Sequence, residues 1–265
     1  MLTSARVGLR SLQKGLRSVS NVVGNIHASQ RAALGDSLIH VDENDQVLGS
    51  IPKLESHLAD AINKGITHRA FSVFLFSADT HSLLIQKRCA SKIVFPREWA
   101  NTCCSHPLFT EAEMESVGGN EVGIKRAAVK RLGAELGISD LFPASLSFKE
   151  KILYRQLSPG GVFGESECDY ILVGEVDAKA AIRPNPDEVE SYEWIRPGPS
   201  GHRTSHLASF LAAEAAKGFP PTPWFNLMVR ERECLETWWE GMIGDSVGFM
   251  RAENSRGGQI RNFLK

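Results

Sequence analysis

Hydrophobic and polar residues alternate along this chain with two periods, and together they lay out a mixed α/β domain. Ala70 to Ala78 is a near-continuous apolar run rich in Phe and Val, closed by Asp79-Thr80. Such a run predicts a buried strand, with Ser82 to Lys87 as its hairpin partner. Upstream, Ser37 to Val41 reads as a strand ended by the turn residues Asp42 to Asp45. Glu55 to Lys64 suits a short helix stopped by Gly65. From Val122 to Leu136, Ala128, Val129, Leu132 and Leu136 follow a helical period, with Gly137 as the stop. Further strands are expected at Leu146 to Gln156, Asp169 to Val176 and Val189 to Ile195, and helices at Arg203 to Lys217 and Trp224 to Trp239. Strands interspersed with helices favour a three-layer α/β/α arrangement around a mixed sheet. No internal repeat is visible.

Both ends differ from this pattern. Residues 1–35 hold Arg6, Arg10, Lys14, Arg17 and Arg31, five serines and no acid. The basic residues recur at helical spacing, while Leu2, Leu9, Leu12, Leu16 and Val19 share much of another face. That composition predicts an organelle presequence, mitochondrial in preference to plastid, peroxisomal or cytosolic placement. The folded domain is expected at 36–245. Residues 246–265, with Gly248, Gly257, Gly258 and scattered arginines, predict a loose tail.

Composition removes several classes. A formal charge of −1 gives no general attraction to nucleic acid. Five cysteines are an odd, sparse set that suits reduced thiols better than a disulfide framework. No apolar run approaches the roughly 18 residues of a membrane span. A single domain acting as a monomer on a small molecule is the expectation.

Chemistry concentrates at Asn101-Thr102-Cys103-Cys104-Ser105-His106, where two cysteines stand just before a histidine. Thiolates are reactive where a cation or metal lowers their pKa. His57, His68, Glu165 and Glu167 could complete a metal site with His106, since imidazole nitrogen and carboxylate oxygen suit zinc, manganese or magnesium. Glu165 and Glu167, two apart, project from one face of a strand. Sequence spacing alone does not make the five converge, and satisfied core histidines with solvated acids are the alternative.

Five segments change the weighing: HRAFSVFLF at 68–76, NTCCSHPL at 101–108, AELG at 134–137, ESECDYIL at 165–172 and TPWF at 222–225. In this order they resemble the type I isopentenyl-diphosphate isomerase family, whose fold is Nudix-like, over about Asp36 to Glu240. Arg97, Ala100 and one extra residue in Ser158 to Gly161 depart from the family pattern and put loop geometry in doubt.

The resemblance implies interconversion of isopentenyl and dimethylallyl diphosphates by a protonation–deprotonation shift. It implies His57, His68, His106, Glu165 and Glu167 as ligands of a divalent metal, and Glu135 as a ligand of Mg²⁺ carried by the substrate diphosphate. Lys53, Arg88, Lys92 and Ser105 become the substrate contacts. Glu167 and Tyr154 become the protonating side, Cys104 the base, and Trp224 the face that meets positive charge. The Nudix helix is degraded, with Lys130, Arg131 and Ala134 at other motif positions. That loss of acids argues against hydrolysis. The rivals are a Nudix pyrophosphohydrolase, a non-enzymatic metal-binding scaffold, and a Cys-His thiol hydrolase. Core packing for Tyr154 and Trp224, and an exposed helix position for Glu135, are the alternatives at those sites.

Overall fold

In the computed structural model, which describes residues 28–264 apart from 117–120, 178, 180, 232 and 253–258, the elements follow in this order. First come α1 (Ala28–Ala32), β1 (Ser37–Val41), β2 (Val47–Pro52), α2 (Lys53–Ser56) and α3 (Ala59–Asn63). Then follow β3 (Thr67–Ser77), β4 (Leu83–Arg88), β5 (Trp99–Ala100), β6 (Cys103–Ser105), α4 (Glu111–Met114) and α5 (Val122–Leu136). The rest comprises β7 (Leu146–Leu157), β8 (Gly164–Val176), β9 (Val189–Ile195), α6 (Ser205–Ala216), α7 (Pro223–Arg230), α8 (Leu235–Arg251) and β10 (Ile260–Asn262).

β3, the strand the apolar run predicts, is the axis of the sheet. One edge pairs in parallel with β8 from His68 to Ser77. The other edge is divided: β1 pairs near His68, β6 at Phe71 to Val73, and β4 at Leu75 and Phe76. Its side chains alternate between two cores, with Phe74 and Phe76 on one face and Phe71, Val73 and Leu75 on the other. Burying each such phenylalanine contributes roughly 1.5–3 kcal/mol. α5 lays Ile124, Ala128, Leu132 and Leu136 on the second face, and Gly137 (φ 68°) ends it in a left-handed cap. α6, α7 and α8 cover the first face. The sheet is mixed and lies between helices, as expected.

Several expectations are revised. The helix foreseen at 55–64 is split into α2 and α3, because the backbone at His57 and Leu58 turns to bond the loop before β8. Gly164 N–H donates to His57 C=O at 2.9 Å, and Ala59 N–H to Val162 C=O at 3.0 Å. The helix foreseen at 224–239 is likewise two, α7 and α8, each with its own apolar stripe against the sheet. β8 begins at Gly164, not Asp169, so Glu165 and Glu167 stand on the strand itself. β2 and β6 were not foreseen.

The described residues of the 246–265 tail are not loose. α8 continues to Arg251, and β10 adds in parallel to the outer edge of β7. Covering that edge removes a row of unpaired backbone groups. Two buried charges on β7 explain the attachment: Lys149 donates to the carbonyls of Phe249 and Ala252, and Glu150 accepts from Arg261 Nε at 3.1 Å. The amphipathic stretch at 2–19 lies outside the described residues. Residues 28–35, assigned above to the presequence, are built into the fold: Gln30 donates to Asp187 C=O at 3.3 Å.

Candidate active site

The divided edge of β3 opens a cleft bordered by β6, β8, α2, the 89–98 loop and α7. Three histidines meet at its floor. His68 points from β3 and is fully buried. His57 stands at the break between α2 and α3, and His106 follows β6. Their ring centroids form a near-equilateral triangle of 4.8, 4.8 and 4.9 Å. Glu165 and Glu167 project into it from one face of β8, and His68 pairs in register with Glu167.

The interatomic distances discriminate between a hydrogen-bonded cluster and a set of metal ligands. Glu165 Oε2 lies 3.0 Å from His57 Nε2 and 3.6 Å from His68 Nε2, yet none of these three buried atoms has a hydrogen-bond partner. The atoms approach but point past one another. Two ligands of one ion at roughly 2.0–2.2 Å sit about 3–3.6 Å apart in this way. A lone buried cluster would leave orphaned polar atoms, which is costly. His57 Nδ1 is engaged by Lys53 C=O at 2.7 Å and Ser56 Oγ at 2.9 Å, so Nε2 is turned toward the cluster. Burial pulls His57 down to about 4 against the pull of Glu165. Burial lowers His68, but the Glu165 and Glu167 carboxylates beside it outweigh that effect and push it up to about 9. Against the same burial, the imidazoles hold both carboxylates below their usual range. Among the described residues, His57, His68, His106 and Glu165 form the group able to hold a metal ion, and Glu167 adjoins it through His106 Nε2 at 2.8 Å.

Tyr154, Cys104 and Trp224 line the same cleft. Tyr154 O–H donates to Glu167 Oε2. Burial raises the tyrosine well above its ordinary pKa, with Glu167 adding to the effect. Cys104, opposite Ser72 on β3, faces the cleft, whereas its neighbour Cys103 is wholly buried in the core beneath α5. The two adjacent thiols thus point to opposite faces, as strand alternation requires. Arg88 Nη1 lies 3.6 Å from Cys104 Sγ. Burial nonetheless pushes the thiol up to about 12 despite Arg88, so cationic neighbours do not activate it in the protein alone. Trp224 borders the same space, its ring 6.0 Å from Tyr154 and beneath the Arg88 guanidinium at 5.5 Å.

The other end of the cleft is cationic. Lys53, Arg88 and Lys92 all border it, as does Ser105. Arg88 is fixed by donating to Phe95 C=O (3.1 Å) and Val94 C=O (3.0 Å). The 89–98 loop is strained to do this, with Phe95 at φ 48° and Arg97 at φ 62°. Such a left-handed residue costs about 1–3 kcal/mol and marks functional loops. Arg97, the departure from an expected glycine, is held by Glu190 at 3.1 Å and packs over Phe219. The extra residue near Ser158 is taken up by Gly160 and Gly161, both at positive φ, while Ser158 Oγ accepts from Phe95 N–H at 3.1 Å. Glu135 is 1% exposed, which removes the exposed-helix alternative. It accepts from Gln86 Nε2 at 2.8 Å and lies 2.8 Å from Arg131 and 3.3 Å from Lys92.

Sequence reading gave no role to Asn101, Arg131, Glu188, Gln30 or Leu34. Asn101 Oδ1 accepts the Trp224 indole N–H at 3.0 Å, while its amide donates to Val73 and Cys103 carbonyls. The spacing of Arg131 to Glu135, four residues on a helix, was the available signal for that pair.

The helix-flanked mixed sheet, its active face and its single-acid Nudix helix define a Nudix-type protein, and a NUDIX domain model matches residues 66–205. Within that class, the chain is 36% identical over 220 residues to isopentenyl-diphosphate Delta-isomerase 1 of Mesocricetus auratus, covering 82% of this chain and 90% of that one. It is 37% identical over 212 residues to the Bos taurus protein of the same name, covering 79% and 86%. A chloroplastic isopentenyl-diphosphate Delta-isomerase I of Arabidopsis thaliana is 36% identical over 240 residues, covering 89% and 77%. The chain belongs to the type I isopentenyl-diphosphate isomerase family.

Proposed function

We propose that the chain moves the double bond of isopentenyl diphosphate with Tyr154 and Glu167 on the protonating side and Cys104 as the base. Interconversion of isopentenyl and dimethylallyl diphosphates in isoprenoid biosynthesis is the activity of this isomerase. The observation that carries the residue roles is the opposed setting of Cys103 and Cys104. Of the two thiols, Cys104 is in the cleft, on the same sheet face as the Tyr154–Glu167 pair.

The chemistry follows from proton balance. The terminal methylene carbon gains a proton from the Glu167–Tyr154 side, the carbon next to the oxygen-bearing methylene loses one to Cys104 Sγ, and the double bond shifts between them. Positive charge builds on the branched carbon in between. Trp224 presents its π face to that charge, and such an interaction contributes about 2 kcal/mol or more when desolvated. Burial favours a protonated Cys104, and the imidazoles, against burial, favour an ionised Glu167. That is the state that runs dimethylallyl to isopentenyl diphosphate. The forward direction uses the complementary state, a thiolate beside Arg88 and a proton on the Glu167 side. A reversible isomerase passes through both.

His57, His68, His106, Glu165 and Glu167 would hold one divalent ion, Mg²⁺, Mn²⁺ or Zn²⁺, which their orphaned atoms fit. When bound, such an ion supplies fixed positive charge that holds the Glu167 carboxylate in place and tunes its acidity. Lys53, Arg88, Lys92 and Ser105 would take the diphosphate, and Glu135 its Mg²⁺. Residues 1–27 would be an import signal to the mitochondrion, supported by their basic, acid-free composition. Incubation of the protein with isopentenyl diphosphate and Mg²⁺ tests the reading, with dimethylallyl diphosphate as product. Cys104→Ala removes nearly all turnover while Cys103→Ala is much milder. Release of phosphate, or a greater loss in Cys103→Ala, overturns it.

A further inference from the structure

Glu188 has no part in the roles assigned so far. It lies one residue ahead of β9, borders the cleft and is 8% exposed. Its carboxylate Oε2 accepts a hydrogen bond from Lys92 Nζ and another from Arg131 Nη2 at 2.8 Å. The same two cations also lie against Glu135, at 3.3 and 2.8 Å. Two carboxylates from different elements thus meet two cations in one neutral quartet. The quartet is braced from behind: Asn185 N–H donates to Glu135 C=O at 2.8 Å, Glu188 N–H to Asn185 C=O at 2.9 Å, and Cys89 N–H to Glu188 C=O at 3.1 Å. The loop that carries Lys92, the end of α5 and the approach to β9 therefore hold one another.

This arrangement has a consequence for what can enter. A diphosphate that recruits Lys92 and Arg131 takes them from the carboxylates. Glu135 keeps the Gln86 amide at 2.8 Å. Among the described residues Glu188 has only these two cations as side-chain partners, so it would be left buried and uncompensated. Breaking a buried pair in this way is strongly unfavourable. A diphosphate that arrives with its own divalent cation supplies the missing charge. Burial opposes ionisation of Glu188, but Lys92 and Arg131 hold its carboxyl below the ordinary range, so it is an anion when the ligand arrives.

We propose that Glu188 is a specificity-determining residue that makes the cleft select metal-complexed diphosphate over free diphosphate, by giving up Lys92 and Arg131 only to a ligand that brings a cation in return. This rests on the reading of the cationic end as the diphosphate site, and it extends that reading from which groups bind to which ionic form is accepted. It assigns the selectivity to the protein's internal charge and not to the solution chemistry of the ligand.

The test is calorimetric titration of the full-length protein with inorganic pyrophosphate, with and without excess Mg²⁺, on wild type, Glu188→Gln and Glu188→Asp. In wild type, Mg²⁺ tightens pyrophosphate binding by about tenfold or more, a conservative value for one released buried carboxylate. Glu188→Gln binds metal-free pyrophosphate about tenfold more tightly than wild type does, so its response to Mg²⁺ shrinks to about twofold. Glu188→Asp keeps the charge and most of the Mg²⁺ dependence. An unchanged Mg²⁺ response in Glu188→Gln, or weaker metal-free binding than wild type, overturns the proposal. Should Glu188→Gln lose its native circular dichroism, wild type decides: Mg²⁺-independent affinity refutes the idea. Failure of wild type to bind pyrophosphate in either form would instead remove the diphosphate reading, which the product assay tests separately.

Discussion

Lys53→Met should make the protein more stable and a poorer binder of diphosphate. Lys53 opens α2 half-buried at the cleft wall. Burial, with the charges of Arg131 and Lys92 adding to it, pulls its ammonium from 10.5 down to about 8, against smaller opposing pulls from Glu165 and Asp36. At about 1.36 kcal/mol per pH unit, holding this lysine charged at pH 7 costs at most about 3 kcal/mol. Solvent screening of a half-buried group brings the expectation to about 1–2 kcal/mol. Methionine retains the length of the stem and drops the charge. For a domain of this size the gain is about 2–4 °C in Tm per kcal/mol. The sign with pH is fixed by linkage. Between about 8 and 10.5 the unfolded chain binds the proton more tightly than the folded one, so wild-type stability rises across that window, and below it the full cost remains. Thermal unfolding of both proteins at pH 7 to 10, without diphosphate, reads the difference directly. The Tm gap between variant and wild type should be largest at pH 7 and close toward pH 10, while calorimetry shows weaker pyrophosphate binding by the variant. A variant that melts below wild type at pH 7, or a gap that does not narrow with pH, would refute the argument.

Two further outcomes follow from the geometry. Alanine at His57, His68 or His106 should lower the metal content of the purified protein along with turnover; full metal retention in all three variants means that the cluster does not bind an ion. Removal of residues 1–27 should leave KM unchanged, whereas removal of 1–35 should raise it several-fold, because Gln30, Ala33 and Leu34 border the cleft; equal KM values for the two truncations would discard a role for this segment.

The elements legible in the sequence are those whose signal is local. β3 is announced by its apolar run, α5 by its stripe and glycine cap, and β9 by a run that the structure reproduces residue for residue. The break at His57 was not legible, since it exists only because the β7–β8 turn supplies hydrogen bonds from a hundred residues away. The C-terminal strand was hidden for the same reason: Lys149 and Glu150 look like surface charges until Phe249, Ala252 and Arg261 reach them. Residues 28–35 were set aside on composition, which registers charge but not the contact of Gln30 with Asp187. For the site, quoted motifs named the side chains in the cleft, while their convergence was supplied by the divided edge of β3. Glu188 carried no motif and no spacing signal at all.

That division of β3 also explains why a Nudix scaffold would carry an isomerisation here and not a hydrolysis. A hydrolytic Nudix helix gathers several carboxylates to hold magnesium against the scissile bond. In α5 the surviving acid, Glu135, is matched by Arg131 one turn earlier and by Lys92, and both cations are shared with Glu188. In the proposed reading this end of the cleft would grip a diphosphate, but it lacks the surplus negative charge to assemble an ion cluster on it. The histidines and Glu165 gather instead beside the Tyr154–Glu167 pair, from β3 itself, the break between α2 and α3, the end of β6, and β8. Beyond them the cleft is walled by Leu54, Ile93, Val94, Phe163 and Trp224. In the proposed roles, an apolar wall around the Tyr154–Glu167 pair and the Cys104 thiol would keep water from a developing cation. Hydrolysis needs that water inside; moving a proton between two carbons needs it out.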